Sequence, residues 1–252
     1  MAKTTKEKNI ISWSGYEWKT ESDWAMTAEV GKDFWCDPSC VEFDDGELVL
    51  FVKSSPRTFN VNGVNYIKKY GIPFVRCEQD FKYGVFEWEM KLPYGRNLWP
   101  ALWFSSDMSW PPEIDCMEGW SKNNPNFIKN LIFLSIHPTM HWSENCDAKS
   151  GKHLQERKLN LLRCRLKRGV YNKYRVVWTP EYIEVYYNNF LVKRFNNPEM
   201  LEHFNKKGLT LKPIMDLAID SGFNMENLKE FSKKGEFMRI KSFKYIEYTK
   251  GE

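Results

Sequence analysis

Apolar and polar side chains alternate with a period of two along most of this chain. The segments VFEWEMKL (85–92), KYRVVW (173–178), YIEVYY (182–187), FLVKRF (190–195) and MRIKSFKYIEY (238–248) are rich in β-branched and aromatic residues, and most set them on one face. NLIFLSIH (130–137) has the same β-prone composition. Between 41–43 and 47–52 stands Asp44-Asp45-Gly46, which reads as strand, tight turn, strand because glycine accepts positive φ. Asn188-Asn189 likewise tolerates left-handed backbone and predicts a hairpin joining 182–187 to 190–195. Helical signals are few. Residues 198–206 predict one short helix, with Asn197 as its cap and Pro198 in its first position. Residues 153–166 score equally as a helix or an irregular edge strand. No internal repeat, low-complexity run or Pro/Gly/Ser linker divides the chain. The pattern predicts an all-β antiparallel sandwich forming a single domain over 1–252, with residues 1–10 flexible.

Composition narrows the function classes. With 42% hydrophobic and 28% charged residues and a net charge of +4 over 252 residues, the chain can build a core and is no polyelectrolyte. Scattered basic residues at that net charge leave no electrostatic footprint for nucleic acid. Lys3, Lys6 and Lys8 are not followed by an apolar run of secretory-leader length, and no stretch is long enough to span a membrane. The six cysteines, Cys36, Cys40, Cys77, Cys116, Cys146 and Cys164, form no C-x-x-C pair and are expected to be mostly free thiols. Aromatic residues make up 16% of the chain, more than a core of this size needs, so some are expected to face a ligand.

Chemistry concentrates in Trp99-Pro-Ala-Leu-Trp-Phe and in Pro111-Pro-Glu-Ile-Asp-Cys-Met-Glu-Gly-Trp120. In a plain strand Glu113 and Asp115 would share a face while Glu118 pointed into the core. Burying an unpaired carboxylate is costly. A one-residue bulge between Asp115 and Glu118 would place all three acids on one face and leave Ile114, Cys116 and Met117 for the interior. Glu113 and Glu118 would then lie about four strand steps apart, roughly 13 Å between Cα atoms. Leaning side chains could close that to the ~5–5.5 Å of a retaining glycosidase pair. Asp115 between them adds like charge, which raises the proton affinity of at least one acid. Trp99, Trp103, Trp110 and Trp120 surround this row and offer flat apolar faces for sugar C–H groups, with N–H donors for hydroxyls.

YGVFEWEMKLPYGRNLWPALWF followed by PPEIDCMEGW resembles the active-site segment of family 16 glycoside hydrolases, the laminarinase, lichenase and agarase group. The six-residue E-x-D-x-x-E form resembles its bulged branch. Ser135-Ile136-His137 resembles the family's later Thr-x-His strand, and Tyr174-Arg-Val-Val-Trp-Thr-Pro with the following hairpin resembles its W-T-P segment. PIMDLAID (213–220) and the closing MRIKSFKYIEY resemble its last two core strands.

The resemblance implies a concanavalin-like β-jelly roll of two curved antiparallel sheets with a concave substrate cleft. It makes Glu113 the nucleophile, Asp115 the assisting carboxylate and Glu118 the acid/base of a double displacement. It places Trp99 and Trp103 on an aromatic floor, His137 beside the acid/base, and Trp120 and Arg76 among candidate substrate contacts, with Trp142 and Trp35 as further platform candidates. The implied activity is a retaining endo-β-glucanase on β-1,3- or mixed β-1,3/1,4-glucan, with a polysaccharide as partner. The alternatives are an endo-β-galactanase on agar-, porphyran- or carrageenan-type polymers and a non-catalytic lectin-like module. No cofactor is required by the chemistry. The resemblance allows a structural calcium whose ligands the sequence does not select. A monomer is expected, with no membrane or nucleic-acid partner. The substrate class suggests an extracellular or periplasmic setting. One departure stands out: the family's penultimate strand usually reads L-N-L-A-V-G-G, whereas Asp216 stands here for its asparagine and Asp220 for its first glycine.

Overall fold

The computed structural model describes residues 4–5, 9–24, 33–93, 97–119, 136–157, 166, 169–220, 222–226 and 237–249. Two antiparallel sheets make the body of the fold. The larger has nine strands, in spatial order Thr4–Thr5 (β1), Ile10–Trp13 (β2), Tyr16–Lys19 (β3), Phe74–Cys77 (β9), Lys212–Ile219 (β18), Leu98–Ser105 (β11), Glu113–Gly119 (β12), Ile136–Ser143 (β13) and His153–Arg157 (β14). The second has seven, in the order Phe190–Phe195 (β17), Ile183–Tyr187 (β16), Tyr171–Trp178 (β15), Gly84–Lys91 (β10), Met238–Ile246 (β19), Glu47–Leu50 (β6) and Val41–Asp44 (β5). A three-stranded sheet, Phe34–Cys36 (β4), Val64–Ile72 (β8) and Lys53–Val61 (β7), adds a parallel pairing, β4 with β8. The expected jelly-roll sandwich is therefore present. Thr4 and Thr5 pair with Ile11 and Ile10, so this part of the leading segment joins the sheet.

Local chemistry accounts for the elements. Asp45 and Gly46 take φ of 51° and 80°, the left-handed pair that a two-residue hairpin between β5 and β6 requires. Asn188 and Asn189 do the same at 47° and 68° between β16 and β17. The helix Pro198–Asn205 (α1) starts where expected, and Asn197 Oδ1 accepts the backbone N–H groups of Glu199 and Met200 at 3.0 and 3.2 Å. Of the ambiguous 153–166 segment, 153–157 is an edge strand and 158–165 lies outside the described residues. The predicted 130–137 strand falls largely outside them too, but β13 runs on to Ser143. Pro138 would argue against such an extension. It is tolerated because it sits opposite an irregularity in β12, between the pairs Asp115–Thr139 and Glu118–His137, where the ladder is already broken.

The long β7–β8 hairpin has no counterpart in the alternation pattern, since most of its side chains are exposed or half-buried on both faces. Its signal is Asn62-Gly63, at φ 52° and 82°.

The core lies between the two large sheets. Phe104 from β11 meets Phe86 and Trp88 from β10 edge to face, with ring centroids 4.9 and 5.6 Å apart. Trp18 from β3 meets Phe243 from β19 at 5.2 Å. Each of these rings is buried, and burial of a side chain of this size contributes about 1.5–3 kcal/mol. Cys40, Cys77, Cys116 and Cys146 are free thiols, as expected, and Cys164 lies outside the described residues.

Candidate active site

The register of β12 shows how the acid row is made. Against β11, Met117 faces Leu102 and Asp115 faces Trp103; against β13, Glu118 faces His137 and Asp115 faces Thr139. One residue of β12 is therefore extra, and the bulge lies between Asp115 and Glu118 as the burial argument requires. Ile114, Cys116 and Met117 point into the core and are fully buried. The Cys116 carbonyl accepts a 2.8 Å hydrogen bond from Tyr187 Oη of the opposite sheet, so a buried tyrosine meets the bulged backbone from beneath.

Glu113, Asp115 and Glu118 line one cavity of about 370 Å³, together with Trp24, Trp99, Trp103, Trp110, His141, His153, Arg157 and Asp216. Each carboxyl has a ring nitrogen beside it. Trp110 Nε1 donates to Glu113 at 3.0 Å, Trp99 Nε1 to Glu118 at 3.3 Å and Trp103 Nε1 to Asp216 at 2.6 Å. His141 Nε2 lies 3.1 Å from Asp115 Oδ2 and 3.7 Å from Glu113 Oε1. The indole N–H groups, expected to be free for sugar hydroxyls, are thus directed at the acids, which leaves the ring faces for the ligand. His141 Nδ1 lies 2.8 Å from His153 Nε2. One imidazole donates to the other across this contact, and the Nε2 of His141 is directed at Asp115 and Glu113.

Burial dominates the electrostatics. It pushes the Glu113, Asp115 and Glu118 carboxyls above the ordinary range, and like charge adds to this, from Asp115 on Glu113 and from Glu118 on Asp115. Arg157, whose Nη2 is 4.0 Å from Glu118 Oε2, works against the rise at Glu118. Burial lowers the His141 imidazole, against the pull of Glu113 and Glu118. Asp216 is pushed up to about 7, first by burial and further by Glu118.

Of the residues singled out in the sequence, Glu113, Asp115, Glu118, Trp99, Trp103 and Trp110 come together here. His137 lies opposite Glu118 in the ladder but is buried and does not line the cavity; burial and Arg157 push its imidazole down to about 4. The histidine that reaches the acids is His141, and its signal was legible: Thr139-Met140-His141 repeats the Thr-x-His form four residues on, hence on the same strand face. Arg76, from β9, ties its guanidinium to Asp107 and does not line the cavity. Trp142 is buried in the core, and Trp35 donates to the Ser55 carbonyl at 2.8 Å away from the cavity. Trp120 lies outside the described residues. Asp220 does not line the cavity, whereas Asp216 does. His153, Arg157 and Trp24 had no signal in the periodicity.

Among the described residues, the one group of acids, histidines and cysteines close enough to hold a metal is Glu113, Asp115 and His141, with ligand atoms within 4.8 Å of one another. It belongs to the acid row, so the structural calcium allowed by the resemblance finds no support there. Among the same residues, no helix is long and apolar enough to cross a membrane.

Comparison with known proteins agrees with this geometry. The model of glycosyl hydrolases family 16 matches residues 51–215. The endo-1,3-1,4-beta-glycanase ExsH of Rhizobium meliloti (strain 1021) is 24% identical over 196 residues, 73% of this chain and 38% of the relative. A beta-glucanase of Rhodothermus marinus is 30% identical over 136 residues, 50% of this chain and 42% of the relative. The match thus spans about two fifths of the length of these relatives. Among solved structures, the laminarinase catalytic domain of Thermotoga maritima superposes with a TM-score of 0.65 at 16% identity, covering 99% of this chain and 97% of that one.

Proposed function

From a chain that belongs to family 16 of the glycosyl hydrolases, we propose a retaining endo-β-glucanase acting on β-1,3- or mixed β-1,3/1,4-glucan. The observation that carries this is the bulge in β12, which turns Glu113, Asp115 and Glu118 into one aromatic-lined cavity. The names of the two relatives above support the choice of glucan.

Glu113 attacks the anomeric carbon as the glycosidic C–O bond breaks, and Glu118 gives its proton to the departing oxygen. A glycosyl ester on Glu113 results. Glu118, now a carboxylate, takes a proton from water, whose oxygen displaces Glu113 and restores both groups. Opposite inversions at the two steps retain configuration. The electrostatics suit these roles: burial keeps a proton on Glu118. Asp115, fully buried and flanked by like charge, holds its own proton and so relieves Glu113 of repulsion. The Glu113 carboxylate is then stabilised by the Trp110 N–H. The cavity is built from a single chain, so a monomer suffices.

A panel of laminarin, barley mixed-linkage glucan, lichenan, agarose, porphyran and carrageenan, with product sizing, tests the proposal. Laminarin or a mixed-linkage glucan should fall to oligosaccharides. Cleavage of galactans alone would move the chain to the galactanase reading, and binding without cleavage to the lectin reading. Glu113→Gln should abolish reducing-end release while oligosaccharide binding persists; undiminished turnover would remove Glu113 from the nucleophile role. The first product seen by NMR should be the β-anomer.

A further inference from the structure

Asp216 is a fourth carboxyl in the cavity, outside the E-x-D-x-x-E row. It projects from β18, opposite Ala101 of β11, and is 2% exposed. Its Oδ2 accepts the Trp103 indole N–H at 2.6 Å, the shortest of the three indole–carboxyl contacts in the cavity. The Trp103 ring also meets Trp24 at 5.9 Å and Phe74 at 6.4 Å between centroids, and it lines the cavity on the side away from β13 and β14. A neutral amide in this place would accept the same N–H without ever carrying charge. A carboxyl has two states.

We propose that Asp216 is a positioning residue that locks the Trp103 ring as a platform for the substrate, firmly when ionised and loosely when protonated. The charge-assisted bond of an indole N–H to a carboxylate is shorter and stronger than its bond to a neutral carboxyl. The groups facing Asp216 bear on its ionisation differently. Glu118 and Asp115 on β12 oppose it only when they are themselves ionised. Arg76 on β9 and Lys212 on β18 are both paired with Asp107. His141 on β13 and Arg157 on β14 lie across the acid row from it. Its proton affinity near neutrality places the change of state within the range where the enzyme can be assayed.

The inference rests on the cavity being the glycan site, and two readouts separate its failure from failure of that reading. Tryptophan fluorescence of the substrate-free protein, titrated from pH 5 to 9, should show a step near neutral pH that is absent in Asp216→Asn. A step that persists in the variant, or no step in the parent, overturns the proposal whatever the substrate. On laminarin, KM of the parent should fall by about 3- to 10-fold from pH 5.5 to 8 while kcat follows the acid row. Asp216→Asn should give an intermediate KM with no such pH dependence, and Asp216→Leu a KM raised at least about 10-fold at every pH. Equal KM in all three proteins overturns the proposal. Absence of hydrolysis in the parent, with the fluorescence step intact, counts against the glucanase reading and leaves the Asp216–Trp103 lock supported.

Discussion

Four carboxyls in one cavity, three buried and that of Glu113 half-buried, are tolerable because each has a ring N–H or imidazole as neighbour. These partners set the proton inventory one residue at a time. Trp110→Phe removes the donor that stabilises ionised Glu113, so the Glu113 pKa should rise. The acid limb of kcat/KM should then move to higher pH, by roughly 0.5–1 unit, in a pH–rate profile. His153→Ala removes the imidazole that pairs with His141 Nδ1 and orients its ring. We expect kcat to fall by about 10-fold with KM little changed, since His141 touches the acids and not the aromatic floor. A rise in KM with kcat unchanged would count against that role.

The strand that carries the row depends on its bulge, and the bulge depends on a contact from the other sheet. Tyr187→Phe deletes the hydroxyl that satisfies the Cys116 carbonyl in the core. Urea unfolding should show a loss of about 1–3 kcal/mol. Activity should fall as well, because Cys116 sits between two of the acids. Removal of the α1 cap by Asn197→Ala should cost about 1 kcal/mol and leave kcat/KM unchanged. The pair separates loss of stability from loss of site geometry. The same elements show where periodicity is informative. Strands β10, β15 and β19 bury mainly one face, so alternation marks them. The β7–β8 hairpin is largely exposed, so nothing periodic is selected there except the Asn-Gly turn.

For the molecule as a whole, the acid cavity trades stability for function. A carboxyl whose folded pKa is raised ionises first in the unfolded chain, so its contribution is complete below the unfolded value and is lost as pH rises through the folded one. For Asp216 that window runs from the ordinary carboxylate range to about 7. Asp216→Asn should therefore be more stable than the parent at pH 8, by roughly 2–4 kcal/mol, with the difference vanishing near pH 4. Urea midpoints at the two pH values check this. Asp37, Glu47 and Asp107, whose carboxyls are held below the ordinary range by hydrogen bonds and neighbouring cations, act with the opposite sign and only at acid pH.

The sequence by itself determined the sandwich, the two hairpins with left-handed turns, the helix with its cap, and the bulge in β12. These follow from local rules: a side-chain period of two, the backbone freedom of Gly and Asn, and the cost of turning Glu118 into an apolar core. It also brought the three acids, Trp99 and Trp103 to one place, because they are close along two neighbouring strands. Only the tertiary structure decided which distant side chains join them. His153, Arg157, Asp216 and Trp24 come from other strands and loops, and their meeting depends on strand order, which no local pattern encodes. His141, opposite Glu113 in the ladder, lines the cavity, whereas His137, opposite Glu118, is buried and does not. The indole N–H groups turned to the carboxyls for a similar reason: a buried charge recruits the nearest donor, and which donor is nearest is fixed by the packed sheet.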